Sequence, residues 1–525
     1  MPNSPLRYSR YPYPEQPLHN FLKKSAIRLP NKIAVIDDER SMTFKELDEA
    51  SNRFANGLGS MGIKKGDSIA ILAFNCIEYV IAFYGISKAS GVVTTLNPAY
   101  KESEIRHQLE DSQAKVLIVQ SNLFENASNA IKNGGTVKHL ISIGETNSTV
   151  PTFDQILENH SLEFNLIHID PKNDLIALPY SSGTTGMPKG VMLTHFNLVS
   201  NTIQFINVGG QAAPKEDDVF LTFLPLYHIY GMNMLMNTPI ALGATIVLMP
   251  RFDLIKAITL IEKHQVTVLY IVPPIVLAFI NYPAIEKTDL SSIRFALSGA
   301  APLSSELQTE FEKRTRIPCN KGYGLTETSP LTNADYLEPY LSKPGSIGPA
   351  ISDTEEMIVD LKTGIIKLDS GQIGELIIKG PQVMKGYWNS TEATAQTIRN
   401  GWLYTGDIAY MDPDGWVYIV DRKKEMIKFK GFQVAPAELE GVLLDHDSVV
   451  DVAVIGKPDP EAGEVPKAFV VLKEKCTPEE LIEFAGSKLA NYKRIAEIEF
   501  VTQIPKSPSG KILRRILIEQ ERTKE

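Results

Sequence analysis

Between Ser181 and Gly190 the chain reads Ser-Ser-Gly-Thr-Thr-Gly-Met-Pro-Lys-Gly, with hydroxyls at Ser181, Ser182, Thr184 and Thr185, a glycine at Gly183 and a lysine at Lys189. Amide N–H groups freed by glycine can converge on an anion, hydroxyls add donors, and a lysine neutralises charge, so this is the composition of a phosphate cradle. A polar strand-to-strand turn would use the same residues. A Walker loop is excluded, because Gly-x-x-x-x-Gly-Lys-Ser/Thr cannot be laid on Gly183 to Gly190.

Further along the chain lie residues suited to completing such a site. Leu224-Pro225-Leu226-Tyr227-His228-Ile229-Tyr230-Gly231 sets a histidine among aromatic and apolar neighbours. It is either a core histidine or a gate between an acyl pocket and the phosphate loop. Ser298-Gly299-Ala300-Ala301-Pro302 follows the apolar run Ile293 to Leu297. Small residues there permit close backbone approach to a flat base, although a plain turn at a strand end explains them too. In Gly322-Tyr323-Gly324-Leu325-Thr326-Glu327 the tyrosine offers a ring for stacking, the threonine a donor to phosphate, and the glutamate a ligand for Mg²⁺. A tyrosine-bearing turn is the alternative. Asp407, in Tyr404-Thr405-Gly406-Asp407, either takes both hydroxyls of a ribose or caps its turn. Cations follow at Arg422, Lys423, Lys424, Lys428 and Lys430; such a run is ordinarily a solvated face. Lys511 sits on a proline and glycine turn, Pro505 to Ile512, either as a mobile surface charge or as a cation delivered into another domain's site.

These residues need a scaffold. Apolar spacing (Phe44, Leu47, Ala50, Phe54, Leu58) predicts an amphipathic helix over Thr43 to Leu58. Asp67 to Phe74, Lys115 to Gln120 and Asp174 to Leu178 read as buried strands, and Tyr79 to Ser90 as a helix. The alternation implies a layered α/β body with largely parallel sheets. A hairpin turns at Asp412-Pro413-Asp414-Gly415. Beyond the cationic run a new unit begins, with helices at Pro436 to Leu444 and Pro478 to Leu489 and strands at Val449 to Ile455 and Ala468 to Leu472. The domain boundary is therefore expected near Asp421, giving a large domain over residues 1–420 and a small one over 421–525.

A length of 525 residues requires more than one domain. The 43% hydrophobic and 22% charged content is that of an ordinary globular protein, and a net charge of −9 argues against a general nucleic-acid binder. Cys76, Cys319 and Cys476 are far apart and lack CxxC spacing, which suggests neither a disulfide framework nor a zinc site and fits a reducing, cytoplasmic setting. Met1 to Pro14 lacks the apolar core of a signal peptide, and Thr523-Lys524-Glu525 is not a peroxisomal address. The greasiest run, Met232 to Met249, is broken by Asn233, Asn237 and Pro239, so buried strand and helix segments are expected rather than a membrane span.

In this order and spacing the motifs resemble the adenylate-forming superfamily, in its acyl-CoA synthetase and 4-coumarate-CoA ligase branch, from about Thr43 to Arg515. The resemblance implies a large N-terminal α/β domain of layered sheets and helices and a small mobile α+β C-terminal domain. It implies ATP, Mg²⁺ and coenzyme A as cofactors, and a small-molecule carboxylic acid as partner. The acid attacks the α-phosphate to give acyl-AMP and pyrophosphate, and the CoA thiol then displaces AMP.

Carried over by position, Ser181, Ser182, Gly183, Thr184, Thr185 and Lys189 resemble the loop over the β and γ phosphates. Tyr323 resembles the adenine-stacking residue, with Ala300, Ala301 and Gly322 beside the base. Thr326 is implied on the α-phosphate, Glu327 on Mg²⁺, and Asp407 and Arg422 on the ribose. Lys511 resembles the lysine bridging carboxylate and α-phosphate in the first step. Lys424 resembles the hinge whose rotation withdraws Lys511 and brings Lys428, Lys430, Gly431 and Gln433 toward nucleotide and CoA. His228 resembles the residue closing the acyl pocket, with Tyr230 on its wall, and Arg251 a basic CoA contact. Gly231, Met232, Met234 and Met236 suggest a roomy, adaptable pocket, or simply core.

Two positions depart from the pattern. Lys321 stands where Gln or Glu is frequent, and Gly374 to Gly380 lacks the cysteine of the plant coumarate-ligase box. The expected activity is an AMP-forming acid-CoA ligase acting on a medium or long fatty acid or an aryl-propenoate. The alternatives are an adenylating enzyme that loads a carrier protein and a non-catalytic adenylate or acyl-CoA sensor. A homodimer is among the oligomeric states left open.

Overall fold

The computed structural model describes residues 8–132, 134–146, 149–165, 167–181, 188–208, 213–335, 342–423, 425–429, 432–459, 462–489, 493–507 and 510–524. Most of the chain folds onto two broad sheets. One runs, in spatial order, Leu331–Ala334, Cys319–Gly324, Phe295–Ser298, Val268–Ile271, Val219–Thr222, Thr245–Leu248, Ile33–Asp37 and Arg40–Thr43, parallel except at its two edges. The other runs Gly386–Tyr387, Lys189–Thr194, Leu175–Ala177, Val92–Thr95, Ser68–Leu72, Ala114–Gln120 and His139–Ile143. Its interior pairs are parallel, whereas all three pairings of Lys189–Thr194, with Gly386–Tyr387, Leu175–Ala177 and Tyr180–Ser181, are antiparallel.

Between the sheets lies the helix Ile77–Lys88, every residue of which is buried. A helix apolar all round has no solvated face to offer and must be enclosed. The helix Phe44–Ser60 packs against it and begins at a capping box: Thr43 Oγ1 accepts from the Glu46 amide at 3.2 Å, and the Glu46 carboxylate accepts from the Thr43 amide at 2.7 Å. The Met232 to Met249 stretch resolves into a π-helix at Tyr230–Asn237, a helix at Thr238–Leu242 and a strand at Thr245–Leu248, all largely buried. No helix among the described residues is long and apolar enough to cross a membrane.

The expectation of largely parallel sheets holds for these two and fails for the others. A third sheet, built from Glu355–Val359, Gly374–Lys379, Trp402–Met411, Ile398–Arg399 and Val417–Arg422, is antiparallel throughout. Its last two strands, Trp402–Met411 and Val417–Arg422, are joined by the turn Asp412 to Gly415, too short for a crossover helix. A boundary at Asp421 falls inside the last of these strands.

The remaining residues form a small α+β unit. Its sheet contains Ile427–Phe429, Phe432–Val434, Val449–Asp459, Gly463–Leu472 and Glu497–Phe500, and its helices are Pro436–Leu444, Pro478–Lys488 and Arg514–Arg522. This unit has its own apolar core around Leu439, Leu443, Val454, Val470 and Leu481. Lys467, 2% exposed, is held by Glu497, Glu499 and Glu521 at 2.6, 3.0 and 2.8 Å.

Candidate active site

The segment Ser181 to Lys189 joins two antiparallel strands, since Tyr180–Ser181 pairs with the start of Lys189–Thr194. Ser182, Gly183, Thr184 and Thr185, at its tip, lie outside the described residues. Its two stems do not. Ser181 Oγ donates to Glu327 Oε1 at 3.1 Å, and the Lys189 ammonium lies 5.6 Å from the ring centroid of Tyr387. Glu327 sits on a single 3₁₀ turn, Thr326–Thr328, tied down where its carbonyl accepts from the Met384 amide at 2.9 Å. Hydroxyls, lysine and carboxylate thus meet at the base of the loop.

A Mg²⁺ ion bound with nucleotide needs one or two protein carboxylates, its other ligands being phosphate and water. Among the described residues no group of three or more His, Cys, Asp or Glu could hold a metal by itself. Glu327 Oε1 is engaged, while Oε2 accepts no hydrogen bond among the described residues. A lone carboxylate with one oxygen pinned and one open fits an ion brought in by ATP.

The second cluster lies on the third sheet. Asp407 and Arg422 are cross-strand partners, with Arg422 Nε 3.0 Å from Asp407 Oδ1. The Tyr323 hydroxyl donates to Asp407 Oδ2. Asp407 is 2% exposed, and burial raises its pKa while Arg422 opposes the rise. Each carboxylate oxygen keeps a second lone pair for an incoming hydroxyl. The Tyr323 ring is half-buried, packed against the core of this sheet, so it is a fixed platform rather than a free side chain. Ala300 has φ +66°, and the turn before it lies on Tyr230: a Cβ at Gly299 would stand 3.2 Å from that ring. A side chain there would have to push the ring back by a few tenths of an ångström, so glycine suits this approach. Lys321 is buried, and its Nζ makes no hydrogen bond among the described residues. Its charge partly offsets the burial that pushes Asp335 up to about 6.

Lys511, from the small unit, reaches this place. Burial and the Arg422 guanidinium hold its pKa below the ordinary lysine value, while Glu425, Asp407 and Glu327 pull the other way. Its turn docks on the large unit: Gly510 has φ +80°, and a Cβ there would lie 2.7 Å from Pro274 Cδ. Lys428, by contrast, is exposed, with its amide on Glu464 Oε2 at 2.8 Å, and it faces Gln433 across a hairpin. Lys424, Lys430 and Gly431 lie outside the described residues, as does the side chain of Gln433.

On the acyl side, burial lowers the His228 pKa to about 4, and its Nε2 has no partner among the described residues. The ring is therefore neutral near pH 7, 4.6 Å from that of Tyr227. The Tyr230 hydroxyl donates to the Leu297 carbonyl at 3.0 Å, and its ring packs against the core of the first sheet. Met234 is 1% exposed and packs into the core. Arg251 is exposed and stacked 4.2 Å over Phe74.

A model of the AMP-binding enzyme family matches residues 22–388, and one of the AMP-binding enzyme C-terminal domain matches 438–511. The chain belongs to the AMP-binding enzyme family. This AMP-binding enzyme is 42% identical to 4-coumarate–CoA ligase 1 of Solanum tuberosum over 516 residues, covering 95% of this chain and 93% of that one. It is 38% identical to the long-chain-fatty-acid–CoA ligase of Bacillus subtilis (strain 168) over 537 residues, covering 97% and 95%. Its structure superposes on ATP-bound MatB from Rhodopseudomonas palustris with a TM-score of 0.87 at 29% identity, over 96% and 98% of the chains. For apo MatB the score is 0.77.

Three residues of the AMP-binding enzyme's site escape a reading of the sequence. Tyr387 donates to Glu327 Oε1 at 2.8 Å, and Asp111 receives the Tyr180 hydroxyl at 2.5 Å. Arg514 joins Glu425, beside the expected hinge, to Glu440 at 2.7 Å. The aromatic pair Tyr387-Trp388 after Gly386 was the one available signal; Asp111 and Arg514 look like surface charges until the chain folds.

Proposed function

We propose that this AMP-binding enzyme activates a medium- or long-chain fatty acid or an aryl-propenoate, its large lobe (1–420) gripping ATP and its small lobe (421–525) supplying the reacting cations. The protein is an AMP-forming acid-CoA ligase that uses ATP, Mg²⁺ and coenzyme A. The observation that carries the residue assignments is the docking of the Lys511 turn on the large unit at Pro274, which brings Lys511 within electrostatic reach of Arg422, Asp407 and Glu327.

A carboxylate is a poor acyl donor because its leaving group would be oxide; joined to the α-phosphate it acquires a good one. Lys511 would bridge the two reacting anions and offset the charge that builds as they join, with Thr326 adding a donor. Bound Mg²⁺ supplies charge neutralisation on the phosphates, and Glu327 would hold it. The neutral His228 ring would close the acyl pocket without adding charge to it. Tyr230, its hydroxyl spent on Leu297, presents an apolar face, which favours apolar acids. Lys428, exposed in this arrangement, would enter on rotation about Lys424 and serve the thiol step with Gln433, Lys430 and Gly431; Arg251 would meet CoA.

Incubating the enzyme with ATP, CoA and a panel of acids, and measuring AMP release and free acyl-CoA, tests the substrate class. Acyl-AMP accumulation without acyl-CoA would oppose it and favour carrier-protein loading. Lys428→Ala is expected to slow thiolation at least about tenfold while adenylation stays near wild type, as single-turnover assays would resolve.

A further inference from the structure

We propose that Tyr387 is a positioning residue for the adenylation half-reaction, holding Glu327 and Lys189 in the arrangement that receives magnesium-bound phosphates. The inference rests on the reading of Glu327 as the Mg²⁺ carboxylate. A glutamate's terminal torsion is soft, so a lone carboxylate turns readily. Here two hydroxyls fix it: Tyr387 at 2.8 Å and Ser181 at 3.1 Å both donate to Oε1, which leaves Oε2 open. The face of the Tyr387 ring attracts the Lys189 ammonium, 5.6 Å from its centroid. One side chain therefore touches both the carboxylate and the lysine of the phosphate region.

Its own mounting is rigid. Tyr387 pairs with Val191 across the strands, and its amide donates to Thr394 Oγ1 at 2.9 Å. The Trp388 amide donates to the Gly190 carbonyl at 2.8 Å and the Trp388 indole to the Asp111 carbonyl at 2.9 Å. The carboxylate of that aspartate takes the Tyr180 hydroxyl. Asp111 thus grips the strand entering the phosphate loop and the strand bearing Tyr387 together.

Tyr387→Phe keeps the ring and removes the hydroxyl. Calorimetry is expected to show ATP binding about tenfold weaker with Mg²⁺ and unchanged in EDTA, and half-saturating Mg²⁺ for acid-dependent pyrophosphate exchange should rise about 10–100-fold. Thiolation of supplied acyl-AMP and the thermal midpoint should stay at wild-type values. Tyr387→Leu, which also loses the ring, should weaken ATP binding in EDTA as well. Wild-type Mg²⁺ dependence in the Phe variant, or equal losses with Mg²⁺ and in EDTA, would overturn the proposal. Glu327→Gln separates the two levels: if it too leaves the Mg²⁺ dependence untouched, the reading of Glu327 fails; if it shifts that dependence and Tyr387→Phe does not, only the role of Tyr387 falls.

Discussion

Replacing Lys511 with alanine is expected to lower acid-dependent ATP–pyrophosphate exchange by about 10²–10³-fold while leaving thiolation of supplied acyl-AMP near wild type; removing one fixed donor at developing charge has effects of that size. The asymmetry follows from the two lysines' positions. Lys511 shares its surroundings with Arg422, Asp407 and Glu327, whereas Lys428 is on the exposed side of the small lobe. Equal losses in both half-reactions would remove Lys511 from the role assigned to it. A pH profile gives a second readout. Because burial and Arg422 lower its pKa, Lys511 gives up its proton at a lower pH than a solvated lysine, and adenylation is lost as pH rises through that value. Lys511→Arg, which stays protonated, should remove this alkaline limb from kcat/KM for the first step.

Asp407→Ala should weaken ATP binding about 10–100-fold, the range expected for losing hydrogen bonds to a charged group. It should also lower stability by about 1.5–3 kcal/mol, because Arg422 loses its ion-pair partner and Tyr323 its acceptor. Calorimetric titration with ATP and a thermal melt would measure the two effects. An ATP affinity equal to wild type, with the melt shifted, would mean that Asp407 merely staples two strands together.

The turn bearing Lys511 docks on the large unit, with Gly510 against Pro274. Arg514, three residues after Lys511, is bonded to Glu425 and Glu440 and so joins the Lys511 turn to the segment around Glu425.

Much of this molecule was legible without coordinates, for reasons of period and punctuation. The helix expected from Thr43 announces itself by apolar spacing and is found at Phe44–Ser60, with Thr43 as its cap. Pro436 opens a helix because its fixed φ suits the first helical position. The motifs around Ser181, Tyr323, Asp407 and Lys511 could be named because glycine, hydroxyl and charge are unusual together. Their order along the chain suggested the chemistry. Other features follow from contacts between segments far apart in sequence, which spacing does not encode. The third sheet is antiparallel throughout, and the sheet of the small unit is antiparallel except where Gly463–Leu472 meets Glu497–Phe500 after the helix Pro478–Lys488. Met234 suggests a pocket or simply core from its sequence setting, and its enclosure by residues from distant strands is a matter of the fold alone. Tyr387 lies 60 residues from Glu327, and nothing local to either reveals the hydrogen bond between them. Local sequence set which groups were present and how each was mounted; the fold decided which of them share a space and which cation the small lobe presents there.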